Sequence, residues 1–258
     1  MEYVTIGGVR CCAAGSEGPP LLVLNALGQG VAPWRRLVRV LAPRRVVVWE
    51  TRGTAPPYAP LTVADHAADL AAMIAEVGGP CDLLAWCTGP KVALAHYLHD
   101  PGSITSMTFL SPAFKHPGRD PALDTPYERN LEALCRAVDR RHEDAARLLP
   151  LLDGDGAAAG APPELAEAVG LPFSSAPALV AYARQHLAFW AYDPLPQAAQ
   201  VQVPIVFAAA TKDTVIAPEG VRHAAACFPT ARYVELPATH YAPHDDPEAV
   251  ARLIGRIT

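Results

Sequence analysis

The stretch CDLLAWCTGPKVALAHYL, Cys81 to Leu98, constrains this chain more than any other. Asp82 to Trp86 form an apolar run of strand length, and Lys91 to Leu98 carry apolar residues at helical spacing. Cys87 therefore falls on the turn from strand into helix, with small residues at Ala85 and Gly89 on either side. Such a turn presses its backbone against neighbouring strands and leaves no room there for large side chains. The helix N-terminus just beyond Cys87 offers unsatisfied amides and the positive end of a dipole, which favour a thiolate and a developing oxyanion. The plain alternative is a buried cysteine acting as a small hydrophobe.

Upstream of Cys87 the chain alternates. Tyr3 to Ala14 suggest one or two antiparallel edge strands before a Gly15–Pro20 turn. Leu21–Leu24 form a buried strand, Val31–Leu41 an amphipathic helix, Arg45–Trp49 a strand and Thr62–Val77 a patterned helix. Strand and helix in this order predict an α/β protein with a mostly parallel sheet and helices on both faces. Ser106–Ser111 read as the next strand, after which the rhythm breaks until about residue 200. In between, Thr125-Pro126-Tyr127-Glu128 is a capping box with proline at the first helical position, opening a helix toward Leu149. A loop rich in Gly and Ala (Asp153–Pro163), a short helix near Glu164–Val169 and a longer one over Ala176–Tyr192 follow. Val203–Ala209, Glu219–Phe228, Tyr233–Leu236 and a terminal helix then resume the pattern.

Ala85-Trp86-Cys87-Thr88-Gly89 resembles the G-x-S-x-G nucleophile elbow of the α/β-hydrolase superfamily, with cysteine for serine. Asp213 shortly after the Val203–Ala209 strand resembles the loop that delivers that family's acid. His240 after the last strand, with Asp246-Pro247 before the terminal helix, resembles its histidine-bearing ending. The resemblance implies a single domain over 1–258, with core 1–111 and 201–258 and a helical lid at about 112–200. It also implies Cys87, Asp213 and His240 as catalytic residues, in the family's chain order. Asn25-Ala26-Leu27-Gly28 stands where the family often has His-Gly-x, so the amides of Leu27 and Thr88 are the expected oxyanion donors. An ordinary strand-to-helix loop is the competing reading there. Glu50-Thr51-Arg52-Gly53 resembles a supporting Asp-x-Arg-Gly loop, which makes Glu50 and Arg52 structural. His244 rivals His240, but Asp245 and Asp246 read as solvent-facing residues opening the last helix. In the lid, Phe173, Phe189 and Trp190 are candidates for substrate contact, with packing as the alternative.

Composition excludes other classes. A net charge of −5 with no basic cluster beyond Arg140-Arg141 disfavours nucleic acid and anionic lipid. No apolar run reaches membrane-spanning length and the start MEYVTIGG lacks a secretory pattern, so a cytoplasmic protein is expected. Six cysteines at scattered spacings, with no C-x-x-C pair, point to reduced thiols and to no zinc site or disulfide framework. Gly28-x-Gly30 is too short for a dinucleotide loop, so no metal or cofactor is expected.

The cysteine narrows the chemistry. An acyl-cysteine lies close in free energy to a thioester donor, so acyl exchange is nearly reversible and suits transfer to a second nucleophile. This pattern, with the tryptophan before Cys87 and Thr-Gly after it, resembles the acyltransferases, aminoacyltransferases and thioesterases of natural-product assembly. Those act on acyl groups held on the phosphopantetheine arm of a carrier protein. A cysteine-dependent esterase or lactone hydrolase acting on small oxoesters, resembling dienelactone hydrolases, and a non-catalytic binding relative are the alternatives.

Overall fold

The computed structural model describes residues 1–152 and 160–254. Eight strands form one sheet: β1 (Glu2–Ile6), β2 (Val9–Ala14), β3 (Glu17–Leu24), β4 (Arg44–Trp49), β5 (Cys81–Trp86), β6 (Ile104–Leu110), β7 (Ile205–Ala210) and β8 (Ala231–Leu236). Their order is β1-β2-β4-β3-β5-β6-β7-β8. β1 and β2 pair antiparallel, β2 runs antiparallel to β4, and every other pairing is parallel. β3 starts at Glu17, earlier than the turn expected there. A register shift between Glu17 and Leu21 accommodates Pro19 and Pro20, which have no amide to give to a ladder.

Alternate strand residues divide between two cores, as a period of two requires. Leu22, Leu24, Val47, Trp49, Leu83, Phe207 and Ala209 pack on one face, with α2 (Val63–Val77), α3 (Gly89–His99) and α8 (Pro218–Ala225). Leu21, Val23, Val46, Val48, Leu84, Trp86 and Val206 pack on the other, with α1 (Arg35–Val40) and α10 (Pro247–Ile254). The helices thus cover both faces, and β5 with the turn after it lies near the middle of the sheet.

Between β6 and β7 lie α4 (Pro126–Arg140), α5 (Ala145–Leu148), α6 (Ala166–Gly170) and α7 (Ala176–Ala191). A one-turn helix, α9 (Ala242–Asp245), precedes α10. The capping box forms: Glu128 N donates to Thr125 Oγ1 and Thr125 N to Glu128 Oε2, each at 3.0 Å. The helix ends at Arg140, short of Leu149, because Asp139-Arg140-Arg141-His142-Glu143-Asp144 supplies no apolar residue to hold a face on the body. Most of the Gly- and Ala-rich loop expected over Asp153–Pro163 lies outside the described residues. Among the described residues no single helix is long and apolar enough to cross a membrane.

Lys91 ties the insertion to the sheet. Its side chain, 1% exposed on α3, donates from Nζ to the carbonyls of Lys115 and Phe189 at 2.7 Å and of Tyr192 at 2.6 Å. These carbonyls lie where the chain enters the insertion and where α7 leaves it. Burial lowers the lysine's pKa to about 7, against the pull of Asp193.

Candidate active site

Cys87 has φ of 53°, a left-handed value costly for a residue with a Cβ. The surrounding backbone holds it there: Cys87 N donates to Leu110 O at 3.0 Å and Ala113 N to Cys87 O at 2.7 Å. A Cβ at Gly89 would come within 2.7 Å of Leu24 O, so the small residue expected after the turn has to be glycine. Ala85, by contrast, is accommodated on β5 with no exposure. The thiol is half-buried and stands at the N-terminus of α3. Burial pushes the thiols of Cys11 and Cys81 up to about 12, which makes them inert core residues.

The structure brings Asp213 and His240 to this cysteine. His240 Nδ1 donates to Asp213 Oδ2 at 2.8 Å, which leaves Nε2 as the nitrogen available to the Cys87 thiol. Asp213 Oδ1 accepts the amides of Val215 at 2.7 Å and Ile216 at 2.9 Å. Burial disfavours the Asp213 carboxylate, but the charge and hydrogen bond of His240, the Ser111 hydroxyl and the Ile216 amide outweigh it and lower its pKa. Burial likewise works against imidazolium at His240. Asp213 and the neighbouring Cys87 sulfur overcome it, so the His240 pKa is raised. Ser111, with φ of 42°, is a second left-handed residue beside the same carboxylate. No sequence pattern marks it.

The histidine loop is held from two sides. Trp86 Nε1 donates to His240 O at 3.0 Å, and the two rings lie 5.0 Å apart. Thr239 donates to Asp245 Oδ2 through its amide at 2.9 Å and its hydroxyl at 2.6 Å. Asp245, read from the sequence as merely solvent-facing, is therefore a brace for this loop. Asp246 does serve the terminal helix, accepting the Ala249 amide at 2.9 Å. His244 is directed elsewhere: its Nε2 pairs with Glu164 of the insertion at 2.9 Å. Glu50 and Arg52 engage in ion pairs with Arg10 at 3.1 Å and Asp69 at 2.6 Å.

Leu27 and Thr88 both border the cavity over Cys87, but they are bonded to each other. The Leu27 amide donates to Thr88 Oγ1 at 2.9 Å. Asn25, where the family pattern has histidine, organises the loop instead, donating to Gln29 O at 2.9 Å and Gly30 O at 2.6 Å and accepting from Trp34 Nε1 at 3.0 Å.

The cavity, of about 60 Å³, is closed by the insertion. Phe173 and Trp190 line it as expected. Phe189 does not: it is 1% exposed and packs edge-on against His66 of α2, ring centres 5.5 Å apart, because it projects about 100° round α7 from Trp190. Residues the sequence reading missed also face the cavity, among them Gln29, Tyr127, Glu128, Tyr182 and His186. Tyr182, His186 and Trp190 recur every fourth residue on α7, a spacing that could have singled out this face. Among the described residues no group of three or more His, Cys, Asp or Glu is arranged to hold a metal ion.

Residues 21–253 match the model of the alpha/beta hydrolase family, and the chain belongs to that family. No curated protein matches the sequence. Solved structures share the fold at low identity. A thermophilic esterase from Thermogutta terrifontis, with malate bound, is 21% identical with a TM-score of 0.73, covering 99% of this chain and 97% of its own. An enol-lactonase from Burkholderia xenovorans LB400 is 20% identical with a TM-score of 0.73, covering 99% of each chain. An esterase from Rhodococcus sp. ECU1013 is 20% identical with a TM-score of 0.73, covering 100% and 98%.

Proposed function

We propose that the protein transfers acyl groups through a covalent acyl-Cys87 intermediate formed from an acyl or aminoacyl thioester, the donor being carried on pantetheine or on a carrier protein. The reading rests on one juxtaposition: a half-buried thiol on a strained turn, beside a histidine whose far nitrogen is committed to a buried carboxylate. His240 takes the Cys87 proton on Nε2, and Asp213 stabilises the imidazolium that results. The thiolate attacks the acyl carbon, and the tetrahedral oxyanion forms at the amide of Thr88 on the N-terminus of α3. Collapse breaks the bond to the donor sulfur, which leaves as a thiol with the proton from His240. A second nucleophile, activated by the same histidine, then releases the acyl group from Cys87.

Water as that nucleophile makes the protein a thioesterase; a thiol or amine makes it an acyltransferase. The second reading, a cysteine-dependent esterase or lactone hydrolase, is favoured by the likeness in fold to two esterases and an enol-lactonase.

Intact mass after incubation with acyl- and aminoacyl-pantetheine thioesters, followed by peptide mapping, separates the readings. Transfer requires an adduct on Cys87 that added thiol or amine discharges faster than water does. An adduct lost quickly to free acid indicates a thioesterase, and turnover of oxoesters alone indicates the second reading. Wild-type turnover in Cys87→Ala would falsify both.

A further inference from the structure

Two residues that line the cavity over Cys87 carry buried polar atoms that the protein leaves unanswered. His186 of α7 is 5% exposed, and among the described residues neither ring nitrogen has a hydrogen-bond partner. Gln29, on the loop after β3, is 9% exposed, and its Oε1 is likewise unpartnered. One comes from the insertion and the other from the body of the domain, and both border the same space as the thiol. Burial and the nearby charge of Lys91 draw the His186 pKa down to about 3, so its imidazole is neutral at physiological pH. A neutral imidazole presents one N–H and one lone pair, and a glutamine Oε1 only lone pairs.

A cavity meant for a hydrocarbon chain would carry apolar side chains at both positions. A buried polar group left unsatisfied is destabilising, so a site holding several disfavours a plain alkyl occupant. Size constrains the occupant further. A water-sized group needs roughly 10–15 Å³ of such space, so a cavity of about 60 Å³ admits only a few non-hydrogen atoms.

We propose that His186 and Gln29 form a hydrogen-bonding subsite for the acyl portion of the substrate, which is short and carries a hydrogen-bond-donating substituent, a hydroxyl or an amino group. The inference rests on the acyl-Cys87 reading for its placement of the acyl group, but the subsite can be tested without any acylation. A hydroxyl or amino substituent donates to the acceptor nitrogen of His186 or to Gln29 Oε1. It can also accept the imidazole N–H when it is a hydroxyl or a neutral amine. An unsubstituted chain does neither.

Two measurements test this. In the first, the rate of Cys87 acylation is followed by intact mass with butyryl-, 3-hydroxybutyryl- and 2-aminobutyryl-pantetheine, in the wild type, His186→Leu and Gln29→Leu. In the second, the corresponding primary amides are titrated into Cys87→Ala, with and without His186→Leu, while the His186 ring nitrogens are observed by NMR. The substituted ligands are expected to outperform the plain one by on the order of tenfold or more, since a site built for hydrogen bonds rejects the analogue lacking them. That preference should collapse in His186→Leu, and the ring nitrogen resonances should move only with the substituted amides. Whether the hydroxyl or the amino ligand gains more identifies the donor. Equal behaviour of plain and substituted ligands, or a preference that survives both substitutions, would overturn the proposal. A preference among the amides with no acylation from any thioester would remove the acyl-Cys87 reading and leave the subsite standing.

Discussion

The amide of Leu27 donates to the hydroxyl of Thr88 at 2.9 Å, across 61 positions of sequence. One expected oxyanion donor is thereby engaged by the side chain of the residue that supplies the other. Having accepted from Leu27, the Thr88 hydroxyl keeps its own proton to offer, and Thr88 borders the cavity. Thr88→Val should slow Cys87 acylation by roughly a hundredfold with little change in KM, the size of effect seen when one oxyanion donor is removed. Thr88→Ser should recover most of the rate. A Thr88→Val variant faster than wild type would mean that the hydroxyl merely blocks the Leu27 amide.

Asp213→Asn keeps an oxygen for the Val215 and Ile216 amides but loses the charge that raises the His240 pKa. Single-turnover acylation should fall by about 10²–10⁴ while the fold persists. Undiminished acylation in a folded Asp213→Asn protein would remove Asp213 from the mechanism.

Lys91→Met should destabilise the protein by about 3–5 kcal/mol, because it leaves three buried carbonyls without a donor. Urea unfolding monitored by tryptophan fluorescence measures this, and a loss below about 1 kcal/mol, the worth of one net hydrogen bond, would contradict it.

His186 makes stability depend on acid. Its imidazole, facing Lys91 of α3 and Tyr182 on its own helix, takes a proton in the folded state only near pH 3, whereas the unfolded chain takes one near its ordinary value of 6.5. Below pH 6.5 the unfolded state therefore binds more protons, and stability falls as pH drops toward 3. The contribution amounts to at most about 1.4 kcal/mol per pH unit for one group. His186→Phe should lessen this acid sensitivity, and parallel stability–pH curves for the two proteins would refute the assignment.

Cys87, Asp213 and His240 could be found in the sequence because each lies just past a strand whose apolar run is short and bounded. Ala85 and Gly89 sharpened the first of them through the sterics of the turn. The capping box at Thr125 was equally legible, since it depends on residues three apart. Contacts between distant segments were not. Phe189 and His186 sit one turn apart on α7, and only the packing of that helix decides which meets α2 and which meets the cavity. Asp245 looked like a helix-opening carboxylate because its partner, Thr239, is presented by a loop whose path local sequence does not set. Lys91 gave no signal at all: a lysine on a helix ordinarily faces water, and its three acceptors come from backbone 24, 98 and 101 positions away.

That lysine also limits how the cover over the thiol can move. Both roots of the insertion are tethered to a single ammonium one turn beyond Cys87, so the insertion cannot swing away as a rigid flap without severing the tether. Phe173 and Trp190, which line the cavity, therefore belong to a cover anchored at both ends.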